Sequence, residues 1–241
     1  MSDLFQILTV DPPWFYQNWT AKKNGAAQAH YPGMKIEELA QLPIGKLGAK
    51  NSLCFLWVTG PKLLEDAHTI LFKAWGYRPA TIFLVWVKTY RRPLVLDLGK
   101  KLKTSLCALL GIPNDVFTGV KTAQLIPGNW CHGNGFYTAA NCEFLVLGVR
   151  GALPRKPLLE KQLMVAQRPP LHSAKPNDEV RRRMKVIFPD YDSYRKIEIF
   201  ARPPVPSDWS ALGNEIDGRD IHDSLPKLLE ELGVHNSEEG S

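Results

Sequence analysis

Short apolar runs and amphipathic stretches alternate through the first ninety residues. "FQILTV" from Phe5 is apolar and partly β-branched, and it stops at Asp11, which predicts a buried strand. "MKIEELAQLP" from Met34 predicts a short helix stopped by Pro43, and "SLCFLWVTG" from Ser52 a second buried strand ended by Gly60. "PKLLEDAHTILFKAWGY" opens on a proline suited to the first helical turn and closes at Gly76. Its Leu64, Ala67, Leu71 and Trp75 fall on one helical face. "ATIFLVWVK" from Ala80 is nearly continuously apolar, as a central parallel strand is. The order strand, helix, strand, helix, strand predicts an α/β fold with right-handed crossovers and a mostly parallel sheet covered by helices on both faces.

Further along, "CEFLVLGVRG" from Cys142 and "QLMVAQ" from Gln162 predict two more strands, the second a candidate edge. "PNDEVRRRMKVIFP" is a helix between prolines. Val180, Met184 and Ile187 face inward, and Arg181, Arg182, Arg183 and Lys185 face mostly outward. "RKIEIFARP" from Arg195 is a last strand. The pattern between Arg91 and Pro127 is irregular, with six basic residues against two acidic and room for one short helix around Thr104 to Leu110. A connection of that length is either a functional loop or a surface excursion that buries a few leucines. These readings give one domain over residues 1–222 with a basic insertion at about 91–127, then a short helix and acidic tail over 223–241.

Composition narrows the class. With 44% hydrophobic and 22% charged residues in 241, the chain has the means to bury a core. Its most apolar run is far shorter than the roughly 20 residues a bilayer crossing needs, so no membrane partner is expected. No basic segment precedes the first apolar run, so no leader is expected either. The four cysteines lack CxxC spacing and read as small buried hydrophobes in a reducing, cytoplasmic compartment. Cys131 beside His132 cannot by itself fill a four-ligand shell, so no metal is expected. The net charge is +6, but the residues from Asp223 onward hold five acids and one lysine, leaving +10 on the rest. A basic body suits a polyanion, nucleic acid first, although mild basicity is also common without such a role.

In open α/β sheets ligands bind beyond the carboxyl ends of strands, where Asp11, Thr59, Lys88 and Glu198 fall. Asp11-Pro12-Pro13-Trp14 taken alone is a strand-end turn. In that place it also offers a carboxylate, carbonyls on a proline-stiffened loop and an aromatic face. Such a set suits a planar heterocycle with an exocyclic amine. The amine is a poor nucleophile because its lone pair is delocalised, and acceptors on its hydrogens favour the tetrahedral geometry of attack. An aromatic face would hold a base turned out of its helix.

Five blocks occur in one order: "DPPWFY", "LCFLWVTGPKLLEDAHTILFKAWGYRPATIFLVWVKT", "GFYTAANCEFLVLGVRG", "HSAKPNDE" and "KIEIFARP…DWSALGNEIDG". Together they resemble the MT-A70 family of S-adenosylmethionine-dependent adenine-N6 methyltransferases, from about Phe5 to Asp217 outside the segment 91–127. The resemblance implies a Rossmann-like methyltransferase fold in permuted order, the catalytic loop preceding the cofactor-binding strand. It implies S-adenosylmethionine as cofactor and an adenine base as substrate. Asp11, Pro12, Pro13 and Trp14 match the catalytic tetrapeptide, with Asp11 and the Pro12 carbonyl accepting from the amine. Lys175, Glu198, Arg202, Asn214 and Glu215 match cofactor-contacting positions, to which Asp11 is added.

Each of these residues also has a plainer reading. Lys175 is a candidate partner for the cofactor's carboxylate, or a solvated residue at a helix start. Glu198 suits a ribose diol, and Arg202 is either a cofactor contact or an ion-pair partner of Glu198. Trp14, Tyr16, Lys88, Lys100, Lys101 and Lys103 are the substrate-side candidates, the lysines through phosphate backbone. Members commonly carry arginine where Ala139 stands here. The compact chain resembles bacterial and phage members, which favours DNA over RNA. An RNA-directed enzyme and a catalytically silent subunit are the alternatives, and a homodimer or a heterodimer with a related chain is open.

Overall fold

A computed structural model describes residues 4–16, 33–90, 94–97, 100–111, 113, 122–125, 131, 140–156, 160–169 and 174–234. These fall into two compact units. One is drawn from Met1–Trp86, Cys142–Met164 and Pro169–Ser241, the other from Val87–Asn141 with Val165–Arg168. The second unit thus spans more of the chain than the basic insertion expected at about 91–127.

A seven-stranded sheet, most of whose residues belong to the first unit, organises the fold. Its strands are β1 (Phe5–Val10), β2 (Gly48–Val58), β3 (Arg78–Thr89), β6 (Cys142–Arg150), β7 (Leu163–Gln167), β8 (Lys196–Ile199) and β9 (Ser210–Leu212). They lie in the order β7-β3-β6-β2-β1-β8-β9. β1 runs parallel to β2 and β8, and β8 parallel to β9, whereas β6 runs antiparallel to β2. The sheet is therefore mostly parallel, with helices on both faces, a Rossmann-like α/β arrangement. β7 stands at an edge, as its weak pattern predicts. β3 lies second from that edge and not at the centre, and much of it is only half-buried.

Alternation along the strands separates two layers. Leu8 and Val10 of β1, Cys54, Leu56 and Val58 of β2 and Ile197 and Ile199 of β8 join one core. That core is closed by α1 (Ile36–Gln41), α3 (Ala67–Ala74) and α7 (Ile221–Glu231). On the opposite face, Phe55 packs edge-on against Phe83 and Phe188, and Trp57 against Trp86. Phe188 caps α5 (Asn177–Ile187), whose Val180, Met184 and Ile187 are buried as the period predicts.

Four expectations change. The stretch after β2 is not one helix: α2 (Gly60–Leu64) ends, Asp66 takes a left-handed φ of 58°, and α3 begins. The turn resets the helical phase, so Leu64 is 90% exposed while Ala67, Leu71 and Trp75 stay buried. Arg183, expected outside, is buried on α5, donating to Glu179 and to the carbonyls of Lys161 and Leu163. α7 begins at Ile221 and buries Leu225 and Leu229, so it is part of the main core and not an appendage starting at 223. Finally, β9 and the short α6 (Asn214–Asp217) follow β8, where no further strand is expected.

In the second unit, β4 (Leu94–Asp97) pairs antiparallel with β5 (Thr122–Leu125), and α4 spans Lys100–Leu110, longer than the pattern predicts. The Lys88 N–H donates to the carbonyl of Asn141 at 2.9 Å, joining the two ends of this excursion. Cys54, Cys107 and Cys131 are buried free thiols, and Cys142 is half-buried.

Candidate active site

The edge where β1, β2 and β8 end is also where β6 begins, because β6 runs the other way. Asp11 follows the last residue of β1, and its N–H donates to the Ile199 carbonyl at 3.3 Å. Thr9 stands opposite both Phe55 and Glu198, and Trp57 opposite Leu145, so Phe55, Trp57, Glu198 and Glu143 share one face of the sheet. α5 covers that face, and the residues leading into it bring Lys175 over the strand ends.

Lys175 Nζ lies 2.7 Å from Glu143 and 3.2 Å from Asp11, and 5.6 Å from the centre of the Trp57 ring. One ammonium thus serves two carboxylates, and the trio carries a net negative charge. Burial pushes the Asp11 carboxyl up to about 6, Lys175 opposing this and Glu143 adding to it. Burial also acts to lower the Lys175 ammonium, but Asp11 and Glu143 outweigh it and hold it above the ordinary lysine range. Lys175 is therefore not a solvated residue at a helix start.

The tetrapeptide itself is tightly held. The Trp14 N–H donates to the Pro12 carbonyl at 2.9 Å, and the Pro13 carbonyl accepts from Met34 at 2.7 Å. The Phe15 N–H returns a bond to the Met34 carbonyl, and Gly33 permits the approach, since a Cβ there would stand 2.8 Å from the Phe15 Cα. The carbonyls expected to be free already accept, though each oxygen has a second lone pair. Trp14 changes more. Its indole donates to the Trp57 carbonyl at 3.2 Å, and its ring is 7% exposed within the core. The face expected to meet a base is packed against protein.

Tyr16 pairs its hydroxyl with that of Thr59 at 2.7 Å, and Lys62 lies 5.4 Å from its ring centre. Burial pushes its phenol up to about 12, with the Thr59 hydrogen bond opposing.

Glu198 is engaged from α5. Asn177 donates to one oxygen at 2.8 Å and Arg181 to the other at 2.7 Å, while the Arg181 guanidinium lies over Trp209. Burial pushes its carboxyl up, against these two partners. Arg181, expected outward, is thus turned in. Arg202 pairs with Glu215 at 3.1 Å and not with Glu198, which corrects the alternative reading of that arginine. Asn214 and Glu215 open α6 behind Gly213, where an added Cβ would come within 2.5 Å of the Ala201 carbonyl.

Lys88 lies near the end of β3 and Lys100, Lys101 and Lys103 on α4, all in the second unit. Ala139 lies outside the described residues. Glu143, Asn177 and the inward turn of Arg181 escape sequence reasoning, which places Thr59 at a strand end but not its bond to Tyr16. The one signal for Glu143 is a carboxylate at the mouth of an apolar run, "NCEFLVLG", and it acquires meaning only with the strand's direction.

The donor set fits S-adenosylmethionine. A buried ammonium, a surplus negative charge and the Arg202–Glu215 pair beside Asn214 match a ligand carrying a carboxylate, an amine, a cationic sulfur and hydroxyls. Among the described residues, no helix is long and apolar enough to cross a membrane.

A family model described as MT-A70 matches residues 5–124. The type II methyltransferase M.MunI from a Mycoplasma species is 26% identical over 235 residues, covering 90% of this chain and 80% of that protein. The human N(6)-adenine-specific methyltransferase METTL4 is 26% identical over 216 residues, covering 88% of this chain but 37% of its own length. The matched segment holds the Asp-Pro-Pro-Trp loop at the carboxyl edge of β1, and both relatives align over most of the chain, so the chain is similar to the MT-A70 family.

Proposed function

We propose that the protein is an S-adenosylmethionine-dependent methyltransferase acting on the exocyclic N6 amine of adenine in DNA. The observation that carries this is Asp11. Its carboxylate stands just past β1, beside the Pro12 carbonyl, in a buried site with a second carboxylate and one shared cation. Bound there, the cofactor supplies a methyl group made electrophilic by its sulfonium.

The chain's own residues do the rest. Asp11 and the second lone pair of the Pro12 carbonyl accept from the two amine hydrogens, drawing the nitrogen out of conjugation and toward attack. Asp11 is then placed to take the proton that the methylated nitrogen loses. Lys175, Asn214, Glu215 and Arg202 would hold the cofactor, with Glu198 supporting that wall through Asn177 and Arg181. Tyr16, fixed by Thr59, bounds the base in place of Trp14, whose ring is buried. Burial of the site excludes water, which strengthens these contacts and protects the methyl group.

DNA is preferred because the compact chain resembles bacterial and phage members, and it spans 80% of the type II relative against 37% of the human one. The basic lysines of the second unit supply contacts to backbone phosphate, and pairing with a second or related chain would extend that surface. The deciding experiment is incubation with labelled cofactor and mixed DNA and RNA, followed by nucleoside analysis by mass spectrometry. N6-methyladenine in DNA is expected from the wild type and none from Asp11→Ala. Label in RNA alone would assign the other polymer. Cofactor binding with no transfer to either would mark a silent subunit.

A further inference from the structure

We propose that Glu143 is a positioning residue that divides the charge of Lys175 and so keeps Asp11 a strong acceptor. The inference rests on the reading of Asp11 as the group that meets the amine. Lys175 reaches both carboxylates, but the contact to Glu143 is the shorter, 2.7 against 3.2 Å. All three side chains are largely buried, so water screens them little. A lysine held by Asp11 alone would close on it, neutralise it and compete with an amine for its lone pairs. Glu143 draws the ammonium aside and places a second negative charge near Asp11.

Strand direction makes this possible. Glu143 comes from the very start of β6, opposite the residue after Val58, and thus faces the same edge as Asp11. The remaining charged or titratable groups acting on Asp11 and its neighbours are Arg202 beyond β8 and Tyr16 beyond β1. Arg202, paired with Glu215, acts on Asp11 from farther off and more weakly than Lys175 and Glu143, and Tyr16 is bonded to Thr59, so the Lys175–Glu143 pair is the dominant arrangement around Asp11.

The test titrates Asp11 directly in the full-length protein without cofactor. The chain is labelled with carbon-13 at aspartate carboxyls, and Asp11 is assigned by its loss in Asp11→Asn. Glu143→Gln should lower the Asp11 midpoint by about one pH unit, and Glu143→Asp should restore most of it. Lys175→Gln, with two carboxylates and no cation, should raise the midpoint and remains informative if Glu143→Gln does not fold. In turnover, Glu143→Gln should move the acid limb of kcat downward in pH and lower its plateau about tenfold. An Asp11 midpoint unmoved or raised in Glu143→Gln, or unmoved in Lys175→Gln, overturns the proposal. A wild type that transfers no methyl group overturns the functional reading instead, since the titration decides the hold of Glu143 on Asp11 by itself.

Discussion

The indole N–H of Trp14 donates to the backbone carbonyl of Trp57 across 3.2 Å, tying the loop after β1 to the end of β2. The aromatic of the tetrapeptide is thus an anchor for its acid. Trp14→Phe keeps most of the apolar volume but strands a buried carbonyl. It should cost about 1–3 kcal/mol in urea unfolding and reduce kcat more than it raises KM for cofactor. Trp14→Ala adds a cavity and should cost about 3–5 kcal/mol. A stability unchanged in Trp14→Phe would show that the hydrogen bond contributes nothing.

The elevated Asp11 carboxyl has consequences for both rate and stability. Activity should fall as pH drops through about 6, where Asp11 takes up its proton, and rise to a plateau above it. Because the folded value lies above the ordinary 3.8, Asp11 favours folding most below about pH 4, and that contribution disappears as pH rises through about 6. Asp11→Asn, which mimics the neutral acid, should therefore gain stability relative to wild type between pH 4 and pH 7, by about 2 kcal/mol. Thermal unfolding of the two proteins across that range measures it, and a constant difference would refute it.

Glu198 is buried against Arg181, so removing one partner costs more than removing both. Arg181→Met should destabilise by about 3 kcal/mol, and adding Glu198→Gln should recover part of that loss. A double-mutant cycle in denaturant measures the coupling. The same single variant should weaken cofactor binding in calorimetry, because Glu198 would lose its fixed orientation.

Reversing Lys100, Lys101 and Lys103 to glutamate should weaken DNA binding and flatten its dependence on salt. The logarithmic slope should shrink by up to about 0.9 for each phosphate the lysines no longer neutralise. Filter binding at several salt concentrations checks this. Unchanged affinity and slope would remove α4 from the substrate path.

Gly213→Ala tests the entry to α6. The added Cβ would press on the Ala201 carbonyl, and the backbone has to shift to relieve it. Cofactor affinity should fall about tenfold with little change in turnover at saturation, because Asn214 and Glu215 move while Asp11 does not. Equal loss of turnover would mean the strain reaches β1.

Much of this was legible in residue order. β1, β2 and β8 are apolar runs with clear ends, and proline after Asp11 marks a loop, so the placement of Asp11 follows from pattern alone. Glu143 was not legible, because a one-dimensional pattern says nothing of strand direction and β6 alone among the described registers with β2 is reversed. Leu64 fits the helical period, but the left-handed Asp66 breaks the phase, and nothing in the spacing announces such a residue. Arg181 and Arg183 sit among outward residues by period and are turned inward by Glu198, Glu179 and backbone carbonyls supplied from distant positions. Trp14 reads as an exposed platform because its anchor, the Trp57 carbonyl, belongs to the backbone and leaves no trace in side-chain identity.

The hydrogen bond between Lys88 and Asn141 means that the chain departs for its excursion and returns within one peptide's reach. An insertion with adjacent ends behaves as an exchangeable cassette: its length and sequence can drift at little entropic cost to the sheet that carries it. The charged cluster around Asp11 is encoded elsewhere in the chain. Change confined to that excursion therefore leaves the strands that carry Asp11, Glu143 and Glu198 in the same register.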